Sequence, residues 1–268
     1  MRQGTIDSRT TIDGDNGTEP EAPIKPTPWG FWPTSGLSLA VILGSFIFQF
    51  LIATFLFIAL KILDPTLDLN DKTQTQPIAG SGLIVSITTI LFVPMSIVLI
   101  AFFVRLRGGF SIGGYLGSRE FKLTSMLKWL GVMIGFLIIY GYLNHVLDRG
   151  IQEYWVNVHE TVFVHPLLWV AMIVAAPLYE ELLFRGFMFR GFASSPIRGP
   201  GAVVLTSLVW ALHHIQYDRL DMLNIFVLGL ILGTTRLKTG SVRLTIILHA
   251  TWNMLAVAQM ELFFHFNP

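Results

Sequence analysis

Two adjacent glutamates, Glu180 and Glu181, stand inside the apolar run "VAAPLYEELLFRGFMFRGF", Val174 to Phe192. A charge near the middle of a bilayer costs on the order of 3 kcal/mol on insertion scales, so such residues persist where something pairs or uses them. Glu181 and Arg185 are spaced i, i+4 with the glutamate first, the favourable order for a same-face ion pair on a helix. Glu180 is rotated about 100° from Glu181 and has no opposite charge three or four residues away, so its partners must come from other helices. A carboxylate placed in that way is a candidate general base.

The stretch "SLVWALHHIQYD" sets His213 beside His214 on different helix faces, and His214 shares a face with Trp210 at i−4. In "IILHATWNM", His249 and Asn253 lie one turn apart, and an imidazole beside a carboxamide can hold an oxyanion. Glu180, His214, His249 and Asn253 together are the parts of a hydrolytic site that activates water. A single histidine in a membrane helix more often bonds a neighbouring helix, and His213 is read that way. Glu181 with Arg185 is read as structural support.

The setting for these residues is a bilayer. The chain of 268 residues is 53% hydrophobic and 13% charged, with a mean hydropathy of +0.62, outside the range of ordinary soluble domains. It is read as an integral, multi-pass protein of the cell membrane with the lipid bilayer as one partner. Cysteine is absent, which excludes a disulfide framework, a thiolate zinc site and a cysteine nucleophile. A net charge of +1 without a basic, aromatic-interleaved cluster excludes nucleic acid as a partner.

About 20 apolar residues cross a bilayer as a helix. About seven spans are predicted, near Gly36–Ile62, Ser81–Val104, Met126–Leu147, Pro166–Phe189, Gly201–Tyr217, Met222–Leu237 and Val242–Phe264. The expected fold is all-α: a polytopic transmembrane helix bundle over residues 36–268, with its motif core near residues 166–260. Residues 1–35 are polar and rich in Thr, Asp, Gly and Pro, and read as a disordered tail. That tail lacks a signal peptide's apolar core, so the first span is expected to be an uncleaved anchor, with Trp29, Phe31 and Trp32 at the membrane interface. Arg105, Arg107, Arg119, Lys122, Lys128, Arg185, Arg190, Arg198, Arg236, Lys238 and Arg243 all fall in or beside loops on one side, which places the N-terminus in the cytoplasm.

These residues resemble the motifs of a known family. "EELLFR" resembles EExxxR, "WALHH" resembles FxxxH and "HATWN" resembles HxxxN of the CPBP group, the CAAX proteases and bacteriocin-processing enzymes also called Abi, which include the type II CAAX prenyl endopeptidase. "YLGSREFKLTSMLKWLGVMIGF" resembles, less specifically, a Leu-Gly segment that precedes the core in bacterial members. The resemblance implies an intramembrane endopeptidase for a peptide or membrane-tethered substrate, prenylated CAAX tails among them. In it, Glu180 and His214 activate water, His249 and Asn253 form the oxyanion hole, and Glu181 with Arg185 braces the site. Trp210 departs from the family's usual Phe.

Two chemistries are open for these residues. The resemblance implies a metal-free glutamate mechanism with no cofactor; the other holds zinc on Glu180, His214 and His249, although the spacing lacks HExxH. Two other functional classes are also open: a non-proteolytic immunity or scaffold protein of the same fold, and a transporter using Glu180 as a proton relay. No paired broken helices in symmetric halves encourage the transporter.

Overall fold

In a computed structural model that describes residues 26–71, 78 and 80–266, the apolar runs fold into helices, and no strand forms among the described residues. In lipid every backbone polar group must be satisfied within its own segment, and helices achieve that. Among the described residues, nine helices follow one another: α1 Phe31–Leu63, α2 Gly82–Arg107, α3 Ile112–Leu116, α4 Leu123–Val146, α5 Glu153–Glu160, α6 His165–Ala193, α7 Arg198–Leu212, α8 Arg219–Thr239 and α9 Val242–Phe266.

Their ends are set by local chemistry. Ser81 caps α2 by accepting from the Ile84 N–H, and Asp218 caps α8 by accepting from the N–H groups of Leu220 and Asp221. Gly240 closes α8 in the left-handed conformation, at φ 69°.

Five of these helices, α1, α2, α4, α6 and α8, are long and apolar enough to cross a membrane. The remaining two predicted spans differ. Helix α7 has 15 residues, or about 22 Å, short of a hydrocarbon core of about 30 Å. Helix α9 has 25 residues but carries His249, Asn253, Gln259 and Glu261 among its apolar ones. The most apolar stretches of α6 and α8 are each 39% buried, against 11% for α1 and 6% for α4, so α6 and α8 form the interior and α1 and α4 the lipid-facing rim.

Two boundaries and one aromatic placement differ from the sequence reading. Helix α1 begins at Phe31, so residues 31–35 are helical rather than part of a tail, and residues 1–25 of that expected tail lie outside the described residues. Trp32 is 81% exposed, as an interface residue should be. Trp29 instead turns inward and donates its indole N–H to the Phe103 carbonyl, while Phe31 packs on Phe192. Helix α7 stops at Leu212, not Tyr217, because the chain turns through His213–Tyr217 although its apolar character continues.

Close approach between α7 and α8 requires a glycine. A Cβ on Gly229 would stand 2.9 Å from the Ser207 Cβ, so the two helices meet backbone to backbone where the motif residues cluster.

At the start of α8, Arg149 pairs with Asp218 and with Asp221, the latter at 3.2 Å, joining the α4–α5 loop to that helix. The Asp221 N–H, then the Arg149 guanidinium, holds Asp218's carboxyl below the usual carboxylate range. A depressed carboxyl contributes stability above its unfolded value of about 3.9, and that contribution is lost as pH falls through the folded value. Asp218→Ala should therefore lower the thermal midpoint in detergent by about 2–4 °C at pH 7, with the difference from wild type narrowing below about pH 4. Asp218→Asn, which keeps the cap, should lose less; circular dichroism melts at both pH values check the pattern.

Candidate active site

Helix α6 is not a uniform α-helix. It runs as α-helix over His165–Trp169, π-helix over Val170–Ala175, α-helix over Ala176–Glu180, π-helix over Glu181–Met188 and α-helix again over Phe189–Ala193. Such π segments are rare and are frequent at functional sites. The junction between the α-helical Ala176–Glu180 and the π-helical Glu181–Met188 falls between the two glutamates.

The first π segment explains one motif residue. The Ala176 N–H bonds back to the Ala171 carbonyl in the π register, and the next residue, Pro177, has no N–H to give. The Met172 carbonyl is thereby left without a donor from either position. Asn253 supplies it, its Nδ2 donating to Met172 O at 2.8 Å. Asn253 thus fastens α9 to α6 and keeps its second amide N–H for other use.

Glu180 meets its partners from two other helices. The Trp210 indole N–H donates to Oε2 at 2.6 Å. His214 Nε2 lies 4.0 Å from Oε1, and His249 Nε2 lies 3.9 Å from Oε2. A carbonyl only accepts, so the 2.9 Å contact of His214 Nδ1 with the Trp210 carbonyl puts the proton on Nδ1 and leaves the Nε2 lone pair turned to Glu180. His249 Nδ1 lies 3.0 Å from Glu181 Oε1 and donates to that carboxylate in the same way. Ring contacts keep the group in place: the Trp210 ring stands edge-on to His214 at 5.7 Å and to His249 at 5.1 Å, and Tyr217 stacks on His214 at 5.7 Å.

The neighbouring carboxylate has a different environment. Glu181 and Arg185 side chains are fully buried and paired at 2.9 Å, whereas the Glu180 side chain is 14% exposed and that of His214 17%. Arg185 also donates to the Gly229 carbonyl at 3.3 Å, and its guanidinium lies 4.3 Å over the Trp210 ring. Water can therefore reach Glu180 and cannot reach Glu181. The glutamates divide into an accessible one among imidazoles and an enclosed one in an ion pair.

The structure brings Glu180, Trp210, His214 and His249 together, with Glu181 and Arg185 beneath them. Asn253 lies one turn beyond His249 with one amide N–H committed to α6. His213 points away, its ring edge-on to Phe46 of α1 at 5.4 Å.

Arg236 is a residue that sequence reading misplaced. Its charge suggests a loop on the basic side, yet it is only 5% exposed within α8 and donates to the carbonyls of Arg185 at 2.9 Å and Leu116 at 3.3 Å. The spacing of Gly229, Leu232, Gly233 and Arg236, three and four apart on the buried face, was the available signal. The Leu-Gly segment is where Arg236 docks: Gly117 has φ 74°, and a Cβ there would stand 2.0 Å from an Arg236 guanidinium nitrogen.

Among the described residues, His159, His165 and Glu261 are the group of three whose ligand atoms lie within 4.8 Å of one another. Its carboxylate already receives both imidazoles at 3.1 Å and the Trp169 N–H at 2.8 Å, which ties α5 and the start of α6 to the end of α9.

Comparison with known proteins gives a family likeness for the segment that carries these residues. Residues 162–255, which hold every motif side chain described above, match the family model for type II CAAX prenyl endopeptidase Rce1-like proteins. Through that segment the chain is similar to the CAAX protease family. An Escherichia coli protein named as an uncharacterized 24.3 kDa protein is 36% identical over 83 residues, covering 30% of this chain and 38% of its own length. The UPF0177 protein YbdI of Lactococcus lactis subsp. lactis (strain IL1403) is 28% identical over 176 residues, covering 62% of this chain and 92% of its own. The chain thus spans well under half of the Escherichia coli relative and nearly all of the Lactococcus one. No solved structure matches it.

The close α7–α8 contact can be tested apart from any activity. Gly229→Ala should destabilise by about 1–3 kcal/mol through overpacking against Ser207. Adding Ser207→Gly should recover most of the loss in a detergent melt; an unchanged midpoint for Gly229→Ala would show that the helices do not meet there.

Proposed function

We propose that this protein is an intramembrane endopeptidase of the cell membrane in which Glu180 and His214 activate the attacking water. The observation that carries the reading is the pairing of a partly accessible carboxylate with an imidazole lone pair across 4.0 Å. A water oxygen about 2.8 Å from each atom fits that separation. The Trp210 N–H occupies Oε2, so Oε1 is the oxygen free to take the water's proton.

The steps follow from these positions. Glu180 removes a proton as the water oxygen attacks the scissile carbonyl, and the C–O bond forms as the carbonyl π electrons move to oxygen. His249 has its Nδ1–H on Glu181, so a protonated Nε2 is the donor it can turn to the oxyanion. The free N–H of Asn253 is the second donor. Collapse of the tetrahedral intermediate breaks the C–N bond, and Glu180 returns its proton to the leaving amine.

The substrate is a peptide or membrane-tethered protein, with prenylated CAAX tails the class the family name suggests. The N-terminus on the cytoplasmic side, as the loop charges indicate, would let substrates reach the site from that leaflet.

One observation favours a second, zinc-dependent reading. Both histidines commit Nδ1 to a carbonyl or carboxylate and leave Nε2 facing Glu180, the usual outer-shell pattern of zinc-bound imidazoles. Glu180, His214 and His249 would hold the ion, which would supply a Lewis acid and a more acidic water. The metal-free reading is preferred because the Trp210 N–H already engages Oε2, the carboxylate oxygen nearest His249.

A panel of quenched peptides, farnesylated and plain, should be cleaved by detergent-purified wild type. Glu180→Ala should lower the rate at least about 100-fold, and a zinc chelator should leave the wild-type rate unchanged. Trp210→Phe should lower kcat about tenfold, the scale of one hydrogen bond to a charged group, with KM little altered. Cleavage by Glu180→Ala at the wild-type rate would remove the proposal; loss on chelation would transfer it to the zinc reading.

A further inference from the structure

A cavity of about 190 Å³ lies at the basic end of the bundle, lined by Gly117, Arg119, Phe189, Arg190, Arg236 and Gly240 among others. It is set apart from Glu180 by the Arg185 turn of α6, to whose carbonyl Arg236 donates. A single water needs only about 10–15 Å³ of such space, so the cavity has room for a multi-atom ligand with water around it.

Its walls carry three guanidiniums and no counter-charge. Among the described residues, none of Arg119, Arg190 and Arg236 has a carboxylate within 4.0 Å. Arg236 is only 5% exposed, and the acceptors it does have, the carbonyls of Arg185 and Leu116, are uncharged. Among the described residues, the Nε of Arg190 is buried without any hydrogen-bond partner. Arg119 and Arg236 guanidinium nitrogens come within 4.0 Å of one point, the place that a Cβ on Gly240 would occupy, and Gly117 likewise leaves out the Cβ that would collide with Arg236. Enclosing like charges in this way is unfavourable unless an anion joins them.

We infer that this cavity binds a phosphate group, supplied by the headgroup of an anionic lipid. Three guanidiniums offer forked N–H donors on several sides, which suits the oxygens and the charge of a phosphate better than the single charge of a carboxylate. The cavity lies among the basic residues near the ends of α2, α6 and α8, the side read as cytoplasmic, and the cytoplasmic leaflet is the anionic one. A bound phosphate would also hold Arg236 in place, and Arg236 holds the turn of α6 that carries Arg185. The inference does not depend on proteolysis, so it stands or falls separately from the proposed activity.

The test is thermal unfolding of the full chain in a neutral detergent. The probes are short-chain phosphatidic acid, inorganic phosphate at fixed ionic strength, and short-chain phosphatidylcholine as the zwitterionic control. Arg119→Gln and Arg190→Gln, singly and together, are the variants, since Arg236 is too bound up with the fold for its loss to be informative. Phosphatidic acid should raise the midpoint saturably by about 2–4 °C, phosphatidylcholine should not, and the double variant should lose the effect. Equal saturable stabilisation by inorganic phosphate, also lost in the double variant, would support the phosphate site and overturn the lipid as its occupant. No stabilisation by either phosphate source, or stabilisation that survives in the double variant, overturns the site itself.

Discussion

The structure depends on a buried ion pair. Glu181 and Arg185, both fully enclosed, could not remain charged inside a helix bundle without each other and without further polar partners. Those partners come from several directions. His249 of α9 gives a proton donor to Glu181, the Gly229 carbonyl of α8 accepts from Arg185, and the Trp210 ring of α7 lies against the guanidinium. Four helices are therefore fixed around one pair of charges. The side chains that touch the pair are also those that surround Glu180: Trp210 donates to it and His249 faces it.

The second constraint is the winding of α6. Two π segments shift the register of a helix that would otherwise turn its residues by a constant angle, and one of them begins at Glu181. Each irregularity leaves backbone groups to be satisfied elsewhere, and two motif or near-motif side chains do this: Asn253 for the Met172 carbonyl and Arg236 for the Arg185 carbonyl. The accessible glutamate with its histidines is thus supported by a layer in which side chains complete the backbone of α6.

Much of this was legible in the residues. Apolar runs marked every long helix, the i, i+4 order of Glu181 and Arg185 anticipated their ion pair, and the lack of a local cation beside Glu180 pointed to partners from other helices. Other parts left no readable mark. A π segment differs from an α-helix in hydrogen-bond register and not in composition, so neither was visible. Helix α7 ends after Leu212 without a glycine or proline to announce it, which is how His214 comes to lie in a turn beside Glu180. The sequence shows Trp210 only as the aromatic residue at i−4 of His214, since sequence shows a residue's bulk more readily than where its single N–H points. The charge of Arg236 alone suggests a loop, because its carbonyl partners are 51 and 120 residues away in the chain and leave no local mark.

The adjacent carboxylates are proposed to do different work, Glu180 in chemistry and Glu181 in holding the bundle together. That division is tested most directly by measuring thermal midpoint and peptide cleavage together for Glu180→Gln and Glu181→Gln. Glu180→Gln should melt within about 2 °C of wild type yet leave peptides uncut, whereas Glu181→Gln, by breaking a buried pair worth about 3–5 kcal/mol when one partner is removed, should lower the midpoint sharply. A Glu180→Gln protein that still cleaves, or a Glu181→Gln protein as stable as wild type, would contradict that division.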